Sequence, residues 1–547
     1  MSEGKKSDSD QFLLFVISIV LACIVINKYG PPFIHFLLRH KYWVSAGVSA
    51  IVTSLWIMIR NRIVAVWEKS EREHILFKRQ DRDSILAGWT KKGQSVFIPF
   101  SSRKMHAQVV GTTNAGKTES VILPWAIADI KEGRGLILID GKSDRSLLDK
   151  VYAYAVKYKR ADDFKLLSLV NIRESSTFNP LIGGSPEEIT ERVFSAFDFK
   201  DEYYRNQQYE VLKHVLIIFS SAKICPTFQR LIQAISDPDV LSDLVEKADP
   251  FMKDWVTRFC ELPKDERERR TSGLVTQLGH FATGETSILF NDESPMIDVE
   301  DVLRDGLIVY CQLPVLKTPV LGKASGKMIL QALQSAVSTR HLKEDKGFGF
   351  FGVYLDDFTE YLTPGFVSLL NKSRSGNIGV TFAHQAHGDL AGLGQDVRNS
   401  ILTNSNLKVF MRTNEPDTAE YFSRTLGTKQ SEKRTDRQRM GLLGREKTGD
   451  GSVRDVEEFN YHPNLFKREL GTGEGIMVVP VQNGSQAVRL KFAMLPDLPA
   501  LRVPKIDKFR CALLPKPKKE KSQKGDGRDS QPKKPVEQIE GALEKAV

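Results

Sequence analysis

Residues 111–118 read GTTNAGKT, which satisfies the phosphate-loop pattern GxxxxGK[ST] at every position. No other stretch limits the fold so tightly. The pattern requires a strand, a tight turn and a helix, because backbone N–H groups must wrap around phosphate oxygens at a helix start. Gly111 and Gly116 remove the Cβ atoms that would block the wrapping. The predicted nucleotide-binding residues are Gly111, Thr112, Thr113, Asn114, Ala115, Gly116, Lys117 and Thr118. Lys117 is placed to reach the β- and γ-phosphates, and Thr118 to offer its hydroxyl to Mg²⁺. HAQVV (His106–Val110) reads as the strand before, and Glu119–Ala128 as the helix after. Pro124 lies inside that helix and should kink or end its first turns.

Hydrolysis needs a carboxylate at the end of a second buried strand. GVYLDD (Gly352–Asp357) supplies two. Asp356 is expected to hold the Mg²⁺ shell with Thr118, and Asp357 to polarise the attacking water. ATP and Mg²⁺ are therefore the expected cofactors.

The chain has 547 residues, enough for about two to four domains. Segment 67–184 alternates strand and helix signals, and segment 294–506 resumes that pattern with GLIVYCQLP, VYLDD, GVTFAHQ, LKVFMRT and GIMVVPV. Such nearly continuous β-branched runs suit parallel strands covered on both faces. Between them, segment 185–293 has apolar residues at helical spacing, as in VLKHVLIIFSSA. The expected fold class is α/β: a RecA-like P-loop nucleotide-binding domain (67–184 and 294–506) with an all-α insertion domain (185–293). Lys429–Asp450 is expected to be a charged loop, and 507–547 a basic, disordered tail. None of Cys23, Cys225, Cys260, Cys311 and Cys511 has zinc-site spacing.

The N-terminal segment 1–66 has a different composition. Phe12–Ile26 and Trp43–Ile59 are uncharged apolar runs, and flanking residues complete two transmembrane helices at about 11–28 and 42–60. No small-residue cleavage site follows Ile26, which argues against a signal peptide. Lysines and arginines flank both sides of the pair, so charge alone does not orient it. An ATP-using domain must face ATP, which places 60–547 in the cytoplasm, below a multi-pass membrane anchor.

These features together resemble the type IV secretion coupling proteins, the TraG/TraD class of conjugative ATPases. Two apolar spans precede the P-loop, and Pro124 in LPWAI matches a proline that the family has there. LILIDGKSD (Leu136–Asp144), STFNPL (Ser176–Leu181), FAHQAHGDL (Phe382–Leu390) and Asn404–Gly427 follow in the family's order. The resemblance implies that Gln385 senses the γ-phosphate or places the water. It also implies that Arg374, or alternatively Arg412, is given to a neighbour's site in a homo-hexameric ring. The family usually has Asp-Glu where this chain has Asp356-Asp357. One methylene is lost, and a misplacement of about 1 Å can cost about a hundredfold in rate.

The implied function is an inner-membrane coupling ATPase of conjugation that passes a relaxase–DNA complex to the type IV secretion channel and translocates single-stranded DNA. The net charge of +10 is compatible with nucleic acid or acidic lipid. The alternatives are an FtsK-like duplex pump, a receptor for protein effectors only, and a membrane scaffold that barely hydrolyses ATP. Lys142 and Asp144 have no role that can be assigned at this level.

Overall fold

The computed structural model describes residues 39, 49–62, 76–77, 83–197, 199, 201–246, 250–342, 349–441, 444–481, 484–508 and 513–514. The strands are β1 (Ser84–Thr90), β2 (Ser95–Pro99), β3 (Ala107–Val110), β4 (Leu136–Asp140), β5 (Phe164–Ser168), β6 (Ile308–Gln312), β7 (Phe351–Asp356), β8 (Ile378–His384), β9 (Leu407–Met411), β10 (Thr428–Gly441), β11 (Gly444–Phe459), β12 (Glu474–Val481) and β13 (Gly484–Phe492). Eleven of them form one sheet in the order β2-β1-β13-β12-β9-β3-β8-β7-β4-β6-β5. From β9 to β5 all neighbours run parallel.

The apolar runs are explained by this double coverage. In β4, Ile137 and Ile139 enter the core on one face, while Leu136 and Leu138 enter the core on the other. In β6, Val309 and Cys311 oppose Ile308 and Tyr310 in the same way. Alternate side chains must point to opposite faces, so a strand buried on both sides has few polar positions. The helices Leu123–Lys131 and Arg145–Lys157 cover one face. Helices Pro319–Leu342 and Pro364–Ser373 cover the other.

Two expectations are corrected. GIMVVPV forms β12, which runs antiparallel to both β9 and β13, and β13 and β1 extend the sheet with further antiparallel pairs. A continuous apolar run reports burial on two faces and carries no information about direction. Lys429–Asp450 is not a loop. It belongs to a hairpin of β10 and β11, paired from Thr428↔Phe459 to Gly441↔Gly444 and forming a sheet of its own. The sequence of this ribbon is rich in charge and has no hydrophobic alternation to betray it.

From Pro186 to Phe290 the regular elements are all helices. Ser185 starts the first with a capping box shared with Glu188. The segments that lead in and out are clasped. Phe178 N–H donates to Leu289 O (2.8 Å), Ile297 N–H to Thr177 O (3.0 Å), and Asn179 Nδ2 to Pro226 O and Asp292 O (2.9 and 3.0 Å). Asn179 of the NPL segment is thus a structural clasp. The helical insertion shares one continuous core with the sheet.

The chain beyond β13 crosses back over the molecule. Tyr154 Oη donates to Pro496 O (2.6 Å), Lys508 Nζ to Ile172 O (2.7 Å), and buried Leu514 exchanges two hydrogen bonds with the Gln233 amide. Chain from the expected tail is therefore still packed at Leu514. Residues 49–62 form a helix exposed along its whole length, with Ile51, Val52, Leu55 and Trp56 open to solvent. The expected span at 11–28 lies outside the described residues. Among the described residues, no helix is long and apolar enough to cross a membrane.

Candidate nucleotide site

The carboxyl ends of β3, β8, β7 and β4 lie side by side, and the chemistry of the sequence gathers there. The loop after β3 is held by its neighbours. Gly111 N–H donates to His384 O (3.3 Å), Thr112 N–H to Arg412 O (2.8 Å), and Gly473 N–H to Ala115 O (2.9 Å). Asn114 and Gly116 adopt φ of +64° and +95°. A Cβ on Gly116 would stand 3.0 Å from Gly473 N, so glycine is required there for space as well as φ. Thr472 Oγ1 also donates to Asn114 O (3.2 Å). The turn before β12 thus backs the loop, a contact that only a GTGEG cluster hints at in the sequence.

The helix after the loop opens with a π-turn, Thr118–Ile122, before the α-helix Leu123–Lys131. Pro124 has no N–H to give Ser120 O, so the widened turn is the distortion that the proline predicts. Thr118 Oγ1 donates to Asp356 Oδ2 at 2.9 Å. Lys117 Nζ donates to Gly111 O (2.6 Å) and Thr112 O (3.3 Å), folded back on its own loop. Burial lowers the Lys117 ammonium from its usual range, and the Asp357 and Asp356 charges oppose that.

Asp356 is 1% exposed, and its Oδ1 is buried without a hydrogen-bond partner. Burial raises it above the ordinary carboxylate range, opposed chiefly by Lys142. A buried carboxylate with one orphaned oxygen beside a threonine hydroxyl fits a magnesium site. Asp357 follows with φ +50° and ψ +50°, a left-handed conformation.

Gln385 lies just beyond β8, with Oε1 accepting from Thr113 Oγ1 at 3.3 Å. Its turn is fixed by Asp389 Oδ2, which accepts from Gln385 N–H (2.8 Å) and Ala386 N–H (2.9 Å). His384 contacts Ala386 O through Nδ1 (2.8 Å), so Nδ1 carries the proton and Nε2 accepts from Gln108 Nε2 (3.0 Å). Gln108 Oε1 in turn accepts from Lys408 Nζ (3.3 Å). Burial pushes His384 down to about 4 and Lys408 down to about 8. This buried chain joins β9, β3 and β8 beneath the Gln385 turn, and scattered single residues gave no notice of it.

Lys142 is the largest surprise. Its Nζ lies 3.1 Å from Asp357 Oδ2 and 3.7 Å from Asp356 Oδ2. Burial works against its charge, yet those two carboxylates hold the ammonium above the ordinary lysine range. Asp144 instead caps the next helix, accepting from Ser146 N–H at 2.8 Å. Arg412 follows β9 at the same edge as the loop. Arg374 does not join them. It is exposed at the end of helix Pro364–Ser373, before β8 begins. A strand of β8's length puts about 20 Å between Arg374 and Gln385.

Residues 351–459 match a family profile described as the TraM recognition site of TraD and TraG. The type 4 coupling protein DotL of Legionella pneumophila is 23% identical over 400 residues, covering 62% of this chain and 51% of DotL. The chain thus spans about half the length of that curated relative. The unbound bacterial conjugative coupling protein TrwBdeltaN70 superposes with a TM-score of 0.55 at 14% identity, over 78% of this chain and 92% of that one. The plasmid coupling protein TrwB in complex with ADP and Mg²⁺ gives a TM-score of 0.55 at 12% identity, over 79% and 93%. At such identities the structural likeness is one of fold. In sequence the chain is similar to a type 4 coupling protein, and in fold to conjugative coupling proteins.

Proposed function

We propose that this chain is a membrane-anchored coupling ATPase of a type IV secretion system that moves single-stranded DNA with its relaxase to the secretion channel. The observation that carries the reading is the contact between Thr118 and Asp356. Two motifs 238 residues apart in the chain meet at 2.9 Å, at the one place where a P-loop ATPase needs them.

Bound magnesium would supply the charge that neutralises phosphate oxygens, with Thr118 and Asp356 holding it. The loop N–H groups bind and orient the phosphates, and Lys117 exchanges its carbonyl partners for phosphate oxygens. Gln385, steadied by Asp389, orients a water, and Asp357 accepts its proton. Arg374 serves the site of a neighbouring subunit, because in its own chain it stands at the far end of β8. That arrangement calls for a ring, and a hexamer is the form proposed. The all-solvent exposure of apolar helix 49–62 supports a membrane-embedded anchor, formed with segment 11–28 in the bacterial inner membrane, with the sheet and helical insertion (185–293) in the cytoplasm. TrwB has been solved with ADP and Mg²⁺ and DotL is a type 4 coupling protein, which supports the same assignment here.

The test is ATP turnover by the purified full chain with and without single-stranded DNA, beside Lys117→Ala. DNA-stimulated hydrolysis that falls at least about a hundredfold in Lys117→Ala is expected. Nucleotide binding without turnover, with or without DNA, would replace the motor with a scaffold whose Asp357 falls short of the water.

A further inference from the structure

The loop after β4 is built to present one side chain. Asp140 Oδ1 accepts from Lys142 N–H (2.9 Å) and Ser143 N–H (3.0 Å), and Oδ2 from Asp144 N–H (2.9 Å) and Tyr310 Oη (2.9 Å). Gln312 Nε2 donates to Ser143 O (3.1 Å), and Ser143 sits at φ +59°. Gly141 lies so close to Tyr361 that a Cβ would stand 2.7 Å from its hydroxyl. The backbone from 142 to 144 is therefore tied, and the Lys142 side chain reaches from it to the carboxylates at the end of the neighbouring strand. That side chain is 51% exposed, while the two carboxylates that it meets are 2% and 24% exposed. Asp140 and Asp356 are register partners on adjacent strands, so the loop holds the ammonium one strand away from the carboxylate it neutralises.

We propose that Lys142 is the resident counter-ion of the nucleotide site: without nucleotide its ammonium neutralises Asp356 and Asp357, and magnesium entering with nucleotide must displace it. The inference rests on the nucleotide-site reading above. The physical reason is that Asp356 and Asp357 are adjacent like charges in a partly dry site and require a cation. An ammonium and a divalent ion at the same carboxylates repel, so occupancy by one disfavours the other. Lys142 thereby keeps the empty site from collecting free metal and ties the position of the Asp140 loop to the state of the site.

The experiment is a Mg²⁺ titration of the purified full chain at a fixed concentration of a fluorescent ATP analogue, read by anisotropy and repeated with the ADP analogue. A parallel thermal melt uses Mg²⁺ alone. Lys142→Met, which keeps the stem and removes the charge, should reach half-saturation at about fivefold lower Mg²⁺ with either nucleotide. Lys142→Arg should stay near wild type. Mg²⁺ alone should raise the melting temperature of Lys142→Met and leave wild type nearly unmoved. An unchanged or higher Mg²⁺ midpoint in Lys142→Met, with nucleotide still bound, overturns the inference. So does a loss of affinity confined to the ATP analogue, which would put the ammonium on the γ-phosphate. If wild type binds neither analogue, the nucleotide-site reading fails first, and the inference falls with it.

Discussion

Asp129 shows how one buried charge sets the spacing of the site. It lies in the helix after the phosphate loop, and its two oxygens accept from Arg103 Nη1 and Nη2 at 2.8 Å each. Tyr354 of β7 donates to the same carboxylate at 2.5 Å, and Arg103 also donates to the Tyr354 hydroxyl. Arg103 lies over the Phe350 ring at 4.4 Å. The cluster clamps the P-loop helix to the strand that ends in Asp356, and so fixes the distance between Thr118 and Asp356. Asp129→Ala would leave the Arg103 guanidinium buried and unpaired, at a cost of about 3–5 kcal/mol. A melt in urea should record that loss, with weaker Mg²⁺-dependent nucleotide binding in the variant that remains folded. A melt within about 0.5 kcal/mol of wild type would remove the clamp from the account.

At the scale of the element, β3 depends on His106, which precedes it at φ +58°. Val380 N–H donates to Nδ1 (3.1 Å), so Nε2 carries the proton and donates to Leu370 O (2.8 Å). One imidazole thus pins helix Pro364–Ser373 to β8 at the strand's start and fixes the turn that displays Arg374. Burial, with Arg374 nearby, pushes His106 down to about 4. Between pH 6.5 and 4 the unfolded chain takes up a proton that the folded imidazole refuses. Its contribution to stability is complete above about pH 6.5 and is lost as pH falls toward 4. His384 has the same sign, and Asp140, raised to about 6 mainly by burial, has the opposite one. His106→Gln should melt earlier than wild type at pH 7, yet lose less melting temperature between pH 7 and 5. Parallel pH profiles would contradict a neutral, buried His106.

At the scale of the molecule, sheet order decides what a single chain can do. The phosphate loop, Asp356, Gln385 and Lys142 share the carboxyl edge, and Arg374 occupies the opposite one. If Arg374 acts in a neighbour's site, two inactive variants should complement each other. Lys117→Ala retains Arg374, and Arg374→Ala retains Lys117. Mixed and allowed to reassemble, they should recover a measurable fraction of wild-type turnover, whereas each alone stays at least about a hundredfold below it. Mixtures as inactive as their components would place the essential arginine in cis and bring Arg412 forward.

The phosphate loop, the two aspartates at the end of β7 and just beyond it, and the strands buried on both faces were legible from the sequence. Each depends on local chemistry: a glycine spacing, a strand ending in acids, and apolar runs with few polar positions. Strand direction was not legible, because burial on two faces looks the same in β9 and in antiparallel β12. The β10–β11 ribbon was hidden since its charged sequence has no hydrophobic period. Asp129, His106, Gln108 and Lys408 carried no signal, because a buried polar residue is explained only by partners brought from distant parts of the chain. Lys142 was visible in its motif, but its meaning was not. Only the pairing of β4 with β7 placed its ammonium on Asp356 and Asp357, more than two hundred residues away.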